Sequence, residues 1–347
     1  MNPEKILFTR RNNNDCLLYS KRCRAMDTKN SNPKIDDVFN IRYVKLKFTV
    51  SLLEECVLPK YKASMIRGGI GEMLLRANCV CDRNCEKCDF ESECIVQRTM
   101  YSKFNSKPEF VTEGDSIGYV LECESKQTEF CSGEQFSFYL VLFGKTIVYF
   151  SQYLNAIYAL GSYGIGKDNA RYRLVSVQNS RGKDILVGND IFMKYYQVEN
   201  LKDYVDHRLA KLGINGEMPE SLAVTFFSPM SIKYNGEMLE SFNAEALIRA
   251  LARRIYLMNC FEENDVQRID ARELASPVIS SQNYRNVSVP RFSNRKQQKI
   301  YLHGVVGEAV LTGVTEETLK ILLAGEVLHA GKNTSFGFGR YMTERTE

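Results

Sequence analysis

Val44, Leu46, Phe48, Val50 and Leu52 alternate with Lys45, Lys47, Thr49 and Ser51, the two-residue period of a half-buried strand. Ile66, Ile70, Met73, Leu74 and Ala77 then recur at helical spacing and predict one apolar helix face. Gly68, Gly69 and Gly71 sit inside that helix, where each costs about 1 kcal/mol of propensity. They predict that another backbone approaches closely. IGYVLECES and FSFYLVLF read as two more strands, and Ile147, Phe150, Leu154 and Ile157 return to helical period. A glycine-rich loop, GSYGIGK, and a strand, ARYRLVSV, close this half.

Strand, helix, two strands, helix, strand is the order of a ferredoxin-like unit, and the second half repeats it. Leu222, Val224 and Phe226 alternate, and Asn243 is placed to cap a helix striped by Leu247, Ile248, Leu251 and Ile255. Strands around 285–312, a short helix at 315–324 and a last strand after HAGKNTSFGFGRYMT follow. The expected fold is α+β: two tandem ferredoxin-like (RRM-like) domains with a glycine-rich C-terminal loop. Residues 1–40 read as a polar extension, 41–180 as the first domain with a Cys-rich insertion, 181–219 as a linker with a short helix, and 220–347 as the second domain. The matched ends, helix then GKDNARYRL and helix then GKNTSFGFGRY, point to an internal duplication.

A chain of 347 residues suits two cores, and 44% hydrophobic residues suit a globular protein. No run of eighteen apolar residues and no signal-like core occurs, so a cytoplasmic protein without a membrane partner is expected. The net charge of +4 permits a polyanionic partner without requiring one. Eleven cysteines are many for a reducing compartment, and Cys79, Cys81, Cys85, Cys88 and Cys94 are spaced C-x-C-x3-C-x2-C-x5-C. Cys79, Cys85, Cys88 and Cys94 are the expected ligands of a structural zinc, with an iron–sulfur cluster as the alternative. A closed four-thiolate site would leave the metal no catalytic task.

Glycine-rich loops can leave backbone N–H groups open to anions, and Lys167 and Lys332 add charge at such loops. Gly161 to Lys167 satisfies G-x-x-x-x-G-K, yet Asp168 replaces the expected Ser or Thr and the helix precedes the loop. A nucleotide-dependent enzyme is therefore disfavoured. Around the second loop Lys332, Asn333, Thr334, Ser335 and Arg340 lie beside Phe336, Phe338 and Tyr341. Phosphate donors next to stackable rings suit single-stranded RNA.

Six segments together carry a family resemblance: YKASMIRGGIGEMLLRANCVCDRNCEKCDFESEC, ALGSYGIGKDNARYRL, TFFSPMSIKYNG, LIRALARRIYLMN, HGVVGEAVLTG and LLAGEVLHAGKNTSFGFGRY. Spanning roughly residues 44 to 345, they resemble the CRISPR repeat-processing endoribonucleases of the RAMP superfamily, in a cysteine-bearing branch. The resemblance implies an RNA-binding cleft between the two domains and repeat RNA as partner, with other CRISPR effector proteins as further partners. It also implies cleavage without a metal or other cofactor, leaving a 2′,3′-cyclic phosphate and a 5′-hydroxyl. A RAMP subunit that holds the RNA without cutting is the alternative.

Such a cut needs a base for the 2′-hydroxyl, cations for the phosphorane oxygens and an acid for the leaving oxygen. Histidine suits the proton steps, and His329, two residues before Gly331, is the best placed of three; His303 lies on a strand and His207 on the linker helix. Many members of the family carry their histidine near the first helix. This chain offers Lys60, Tyr61, Lys62, Arg67 and Glu72 there, and Lys60, Tyr61 and Lys62 form an alternative catalytic set. Arg67, Lys167, Arg249, Arg253 and Arg254 complete the expected phosphate contacts.

Overall fold

The computed structural model describes residues 35–101, 104, 108, 117–188, 190–214, 217–293 and 298–346. Most of the polar extension, residues 1–34, lies outside them.

In the first domain the alternating segment forms β1 (Arg42–Leu52), with Val44, Leu46, Phe48 and Val50 buried. It lies between β3 (Gln135–Phe143) and β4 (Tyr172–Asn179), and β2 (Tyr119–Glu122) pairs the outer side of β3. The order β2-β3-β1-β4 is antiparallel throughout. Phe48 and Phe138 stack across the central pair with centroids 5.3 Å apart, a cross-strand contact of the kind that holds register. Helices α1 (Ala63–Asn78) and α2 (Phe150–Tyr163) pack together. Gly69 explains how: a Cβ there would fall 2.6 Å from the Leu160 side chain. The close neighbour is thus a side chain of α2 rather than the backbone expected from the glycines.

The first sheet does not stop at residue 180. A hairpin, Asp184–Val187 with Asp190–Ile191, extends it beyond β4, and Glu199–Asn200 pairs the start of β1. Asn200 caps α3 (Leu201–Lys211), its Oδ1 accepting the Lys202 N–H at 2.9 Å. The span read as a linker is therefore largely folded, and its helix packs on the second domain. There Arg208 Nε meets Glu326 Oε2 at 2.8 Å.

The second domain repeats the topology with β7 (Ser221–Met230), α4 (Ala244–Glu262), β8 (Val278–Ser293), β9 (Gln298–Thr312), α5 (Glu316–Leu328) and β10 (Tyr341–Arg345), strands β5 and β6 being the hairpin at 184–191. Its sheet order is β8-β9-β7-β10. Asn243 caps α4 as expected, its Oδ1 accepting the Ala246 N–H at 2.9 Å. β8 and β9 pair over nearly their full length, well past the average strand.

Val120, Val141, Phe143 and Tyr43 from the first domain belong to the same buried cluster as Leu251, Leu322 and Tyr341 from the second. The two sheets therefore share a core at their seam. Among the described residues no helix is long and apolar enough to cross a membrane.

Candidate nucleic-acid interface

The glycine-rich segment begins where α5 ends, at His329 with φ +64°. Its N–H groups are mostly engaged within the fold. Ala330 N–H donates to Gly339 O (2.9 Å), Lys332 to Ser231 O (2.7 Å) and Gly339 to Pro229 O (2.9 Å), while Phe336 and Gly337 donate within the loop. The loop is thus a closed, braced ring rather than the open N–H cradle its composition suggests. Gly337 (φ +85°) is where it touches the first domain: a Cβ there would lie 2.4 Å from the Ala63 Cβ and 3.2 Å from Leu121 O. Of the aromatics expected to stack on bases, Phe338 and Tyr341 are core residues, and Phe336 is left half-buried.

At the seam, three charged or titratable groups converge on the buried Glu122 of β2. Lys45 Nζ lies 2.9 Å from each of its oxygens, Arg340 Nε 3.1 Å from Oε2, and His329 Nε2 3.3 Å from Oε1. The other His329 nitrogen, Nδ1, faces Phe338 O at 3.0 Å. Burial alone would raise the Glu122 pKa, but Lys45, His329 and Arg340 hold it far below the usual carboxylate range. Burial pushes His329 down against the pull of Glu122. His329 has no exposed surface and both ring nitrogens are engaged, so it lacks the hydrogen-bond reach to substrate that proton transfer needs. Where catalysis was expected of it, the structure makes it a tie between loop and sheet. Arg340, expected on RNA, also meets Glu124 at 2.6 Å, so its charge is matched internally.

Lys62, expected in the catalytic set, is enclosed in the same way. It is fully buried, and its Nζ donates to Ser125 O (3.2 Å) and to Gln127 O while lying 5.3 Å from the Phe130 ring centroid. Burial lowers its pKa. Lys60 is exposed and Tyr61 half-buried. Lys126 Nζ stands 4.5 Å from the Tyr61 ring centroid, and burial lowers the Lys126 pKa, with Lys60 and Lys62 adding to the effect. The charge of Arg285, from β8, bears on the Tyr61 hydroxyl, whose pKa burial raises. Lys126 and Arg285 were missed in the sequence because each lies far along the chain from Tyr61.

One turn beyond Ala63, Arg67 lies over the Phe336 ring at 4.9 Å, and Arg291 of β8 lies over the same ring at 4.2 Å. Cation–π contacts return about 0.5–2 kcal/mol each.

A second group lies on the other side of the loop's start. Lys233, Tyr234, Arg249, Arg253, Arg254 and Lys332 line a cavity of ≈180 Å³. This brings together four of the residues expected to contact phosphate. Arg249 pairs with Glu245, which also accepts the Tyr234 hydroxyl at 2.8 Å, and Arg254 Nε donates to Leu328 O at 2.5 Å. Thr334 and Ser335 are buried in the loop, Asn333 (φ +62°) supplies its left-handed turn, and Lys167 stands exposed in the helix-to-strand turn bridged by Ile165 and Ala170.

Cys79, Cys85, Cys88 and Cys94 are all free thiols. Cys79 Sγ accepts the Arg83 N–H at 3.2 Å and Cys85 is exposed. Among the described residues no group of three or more His, Cys, Asp or Glu side chains is disposed to hold a metal ion.

Residues 224–341 match the family model described as CRISPR-associated endoribonuclease Cas6, and residues 41–201 match one described as an N-terminal domain. A protein of Archaeoglobus fulgidus is 23% identical over 309 residues, covering 87% of this chain and 97% of its own. Among solved structures, a Cas6 product complex from Thermus thermophilus aligns with a TM-score of 0.52 and 14% identity over 87% of this chain and 99% of that one. A partial Cas6-RT-Cas1–Cas2 complex aligns at 0.56 and 12% identity over 88% of this chain. This chain spans only 46% of the length of that larger one. Both structural likenesses concern the tandem ferredoxin-like fold.

Proposed function

We propose, on the premise that this chain belongs to the Cas6-type family of CRISPR endoribonucleases, that it cleaves CRISPR repeat RNA by attack of a 2′-hydroxyl on the adjacent phosphate. The reaction needs no metal in this reading and leaves a 2′,3′-cyclic phosphate and a 5′-hydroxyl. The observation that carries it is the basic cavity beside the glycine-rich loop, where five cations face one another around ≈180 Å³. Such a concentration of positive charge suits a polyanionic strand.

Tyr61 and Lys126 are the groups proposed for the proton steps. They are in contact, and the lowered Lys126 pKa brings it nearer to a working range for acid–base exchange. Lys60 stands beside them as an electrostatic contributor. The wider partners, a repeat RNA and other CRISPR proteins, are part of the same proposal.

Incubation of the protein with the repeat RNA of its host in EDTA tests it. A single cut is expected, abolished by a 2′-deoxy substitution at the nucleotide before it. Tyr61→Phe and Lys126→Ala are expected to slow the cut about 10²–10⁴-fold at saturating RNA with little change in Kd. Tight binding without any cut would favour a non-cleaving RNA-holding subunit, a reading to which the buried state of His329 lends weight.

Lys332→Ala and Arg253→Ala address the cavity separately. Each is expected to raise Kd and to reduce the slope of log Kd against log salt by about 0.7, the increment for one phosphate contact on a single strand. An unchanged slope would remove the cavity from the RNA path.

A further inference from the structure

We propose that Arg67 and Arg291, gathered on the single ring of Phe336, form a seat for one backbone phosphate of the RNA at the seam of the two domains. The proposal rests on the RNA-processing reading above and adds a ligand group and two residues to it. Arg291 was not singled out by the sequence.

The two guanidinium groups lie within 5 Å of one ring centroid, 4.9 Å for Arg67 and 4.2 Å for Arg291. The Nε atom of each is buried without a hydrogen-bond partner, and beside Arg67 lies the buried phenol of Tyr119, a weak neutral acceptor for its guanidinium. Among the described residues neither arginine has a carboxylate partner. The charged or titratable groups acting on Arg67 are tyrosines, 119, 101 and 153, and the one acting on Arg291 is Arg67 itself. Burial and that neighbouring positive charge lower the pKa of Arg291.

Buried polar groups are ordinarily satisfied, and a clustered exception calls for a missing partner. Two like charges converge here, and the one oxygen the described fold turns toward Arg67 is the neutral Tyr119 phenol, so no anionic acceptor faces them. An anion with several oxygens satisfies both Nε groups, and arginine forks match phosphate geometry in particular. The location agrees with a strand lying across both domains. Arg67 comes from α1 of the first, while Arg291 and Phe336 come from the hairpin and the glycine-rich loop of the second. Gly337 sets the distance, since its missing Cβ lets the loop press against Ala63 one helical turn before Arg67.

The experiment is a walk of single neutral methylphosphonate linkages through the repeat RNA, with Kd measured for wild type, Arg67→Gln and Arg291→Gln. Both variants should bind unmodified RNA about tenfold more weakly, as expected for losing a charged hydrogen bond. At one linkage the neutral substitution should weaken wild type by a similar factor and leave both variants no weaker than they already are. Additive losses at every position, or variants that bind like wild type, would overturn the proposal. Melting temperatures keep a structural role apart: each Gln removes an unmatched charge together with one cation–π contact, so both variants should melt within a few degrees of wild type, and a marked fall in both would count against a ligand seat. Should wild type bind no RNA at all, the functional reading fails while the seat stays testable. Inorganic phosphate should then raise the melting temperature of wild type and of neither variant; equal or absent shifts would overturn the seat as well.

Discussion

Glu122→Gln is expected to destabilise the protein by about 3–5 kcal/mol, the usual cost of removing one partner from a buried charge group. Lys45 loses its carboxylate outright, His329 Nε2 faces a neutral amide in place of a charged oxygen, and Arg340 keeps only the exposed Glu124 as an ion pair. Denaturant unfolding with a constant m-value measures the loss. The pH dependence gives a second check. The folded-state pKa of Glu122 is depressed, so its stabilisation is complete above the unfolded-state pKa of about 4.3 and disappears as pH falls below it. Wild type should therefore lose its advantage over Glu122→Gln progressively in acid. A difference that persists unchanged to pH 2 would mean that the carboxylate charge is not what matters. A large effect is expected because the cluster joins residues from both domains, so its loss loosens the seam itself.

Gly337→Ala should act on RNA handling as strongly as on stability. An alanine at φ +85° carries about 1–2 kcal/mol of backbone strain, and its methyl would have to displace Ala63. Retreat of the loop would carry Phe336 away from Arg67. Repeat-RNA cleavage is expected to fall at least tenfold with the melting temperature lowered by several degrees, on the scale of about 2–4 °C per kcal/mol for large domains. Gly68→Ala is the comparison, because nothing lies within 4 Å of a Cβ at that position. It should melt at or slightly above wild type, since alanine favours a helix. Equal behaviour of the two variants would refute the docking role of Gly337.

The periodic stretches told most of the fold. β1, α1, α4 and the Asn243 cap lie where alternation, helical spacing and capping chemistry put them, because each is governed by neighbours within a few residues. The short helix α3 lies where the sequence placed one, but the hairpin at 184–191 was not legible, since it is stabilised by its contact with β4 rather than by strong periodicity of its own. The site was legible in part. Lys332, Arg249, Arg253 and Arg254 do line one cavity. His329 and Lys62 misled for a shared reason: residue type announces what a side chain can do in water, whereas its exposure is set by which distant strand closes over it. For His329 that strand is β2, more than two hundred residues earlier.

The Glu122 cluster also bears on the order in which the molecule can be completed. Synthesis delivers β2 and its carboxylate early, together with Lys45, while His329 and Arg340 arrive near the end of the described chain. Until they do, the first domain carries at its seam a half-answered charge and apolar residues, Val120 and Phe143 among them, that belong to a core not yet made. Domains usually fold as they emerge. Here the earlier one is left with an open face through most of translation, and its final locking coincides with the appearance of the glycine-rich loop.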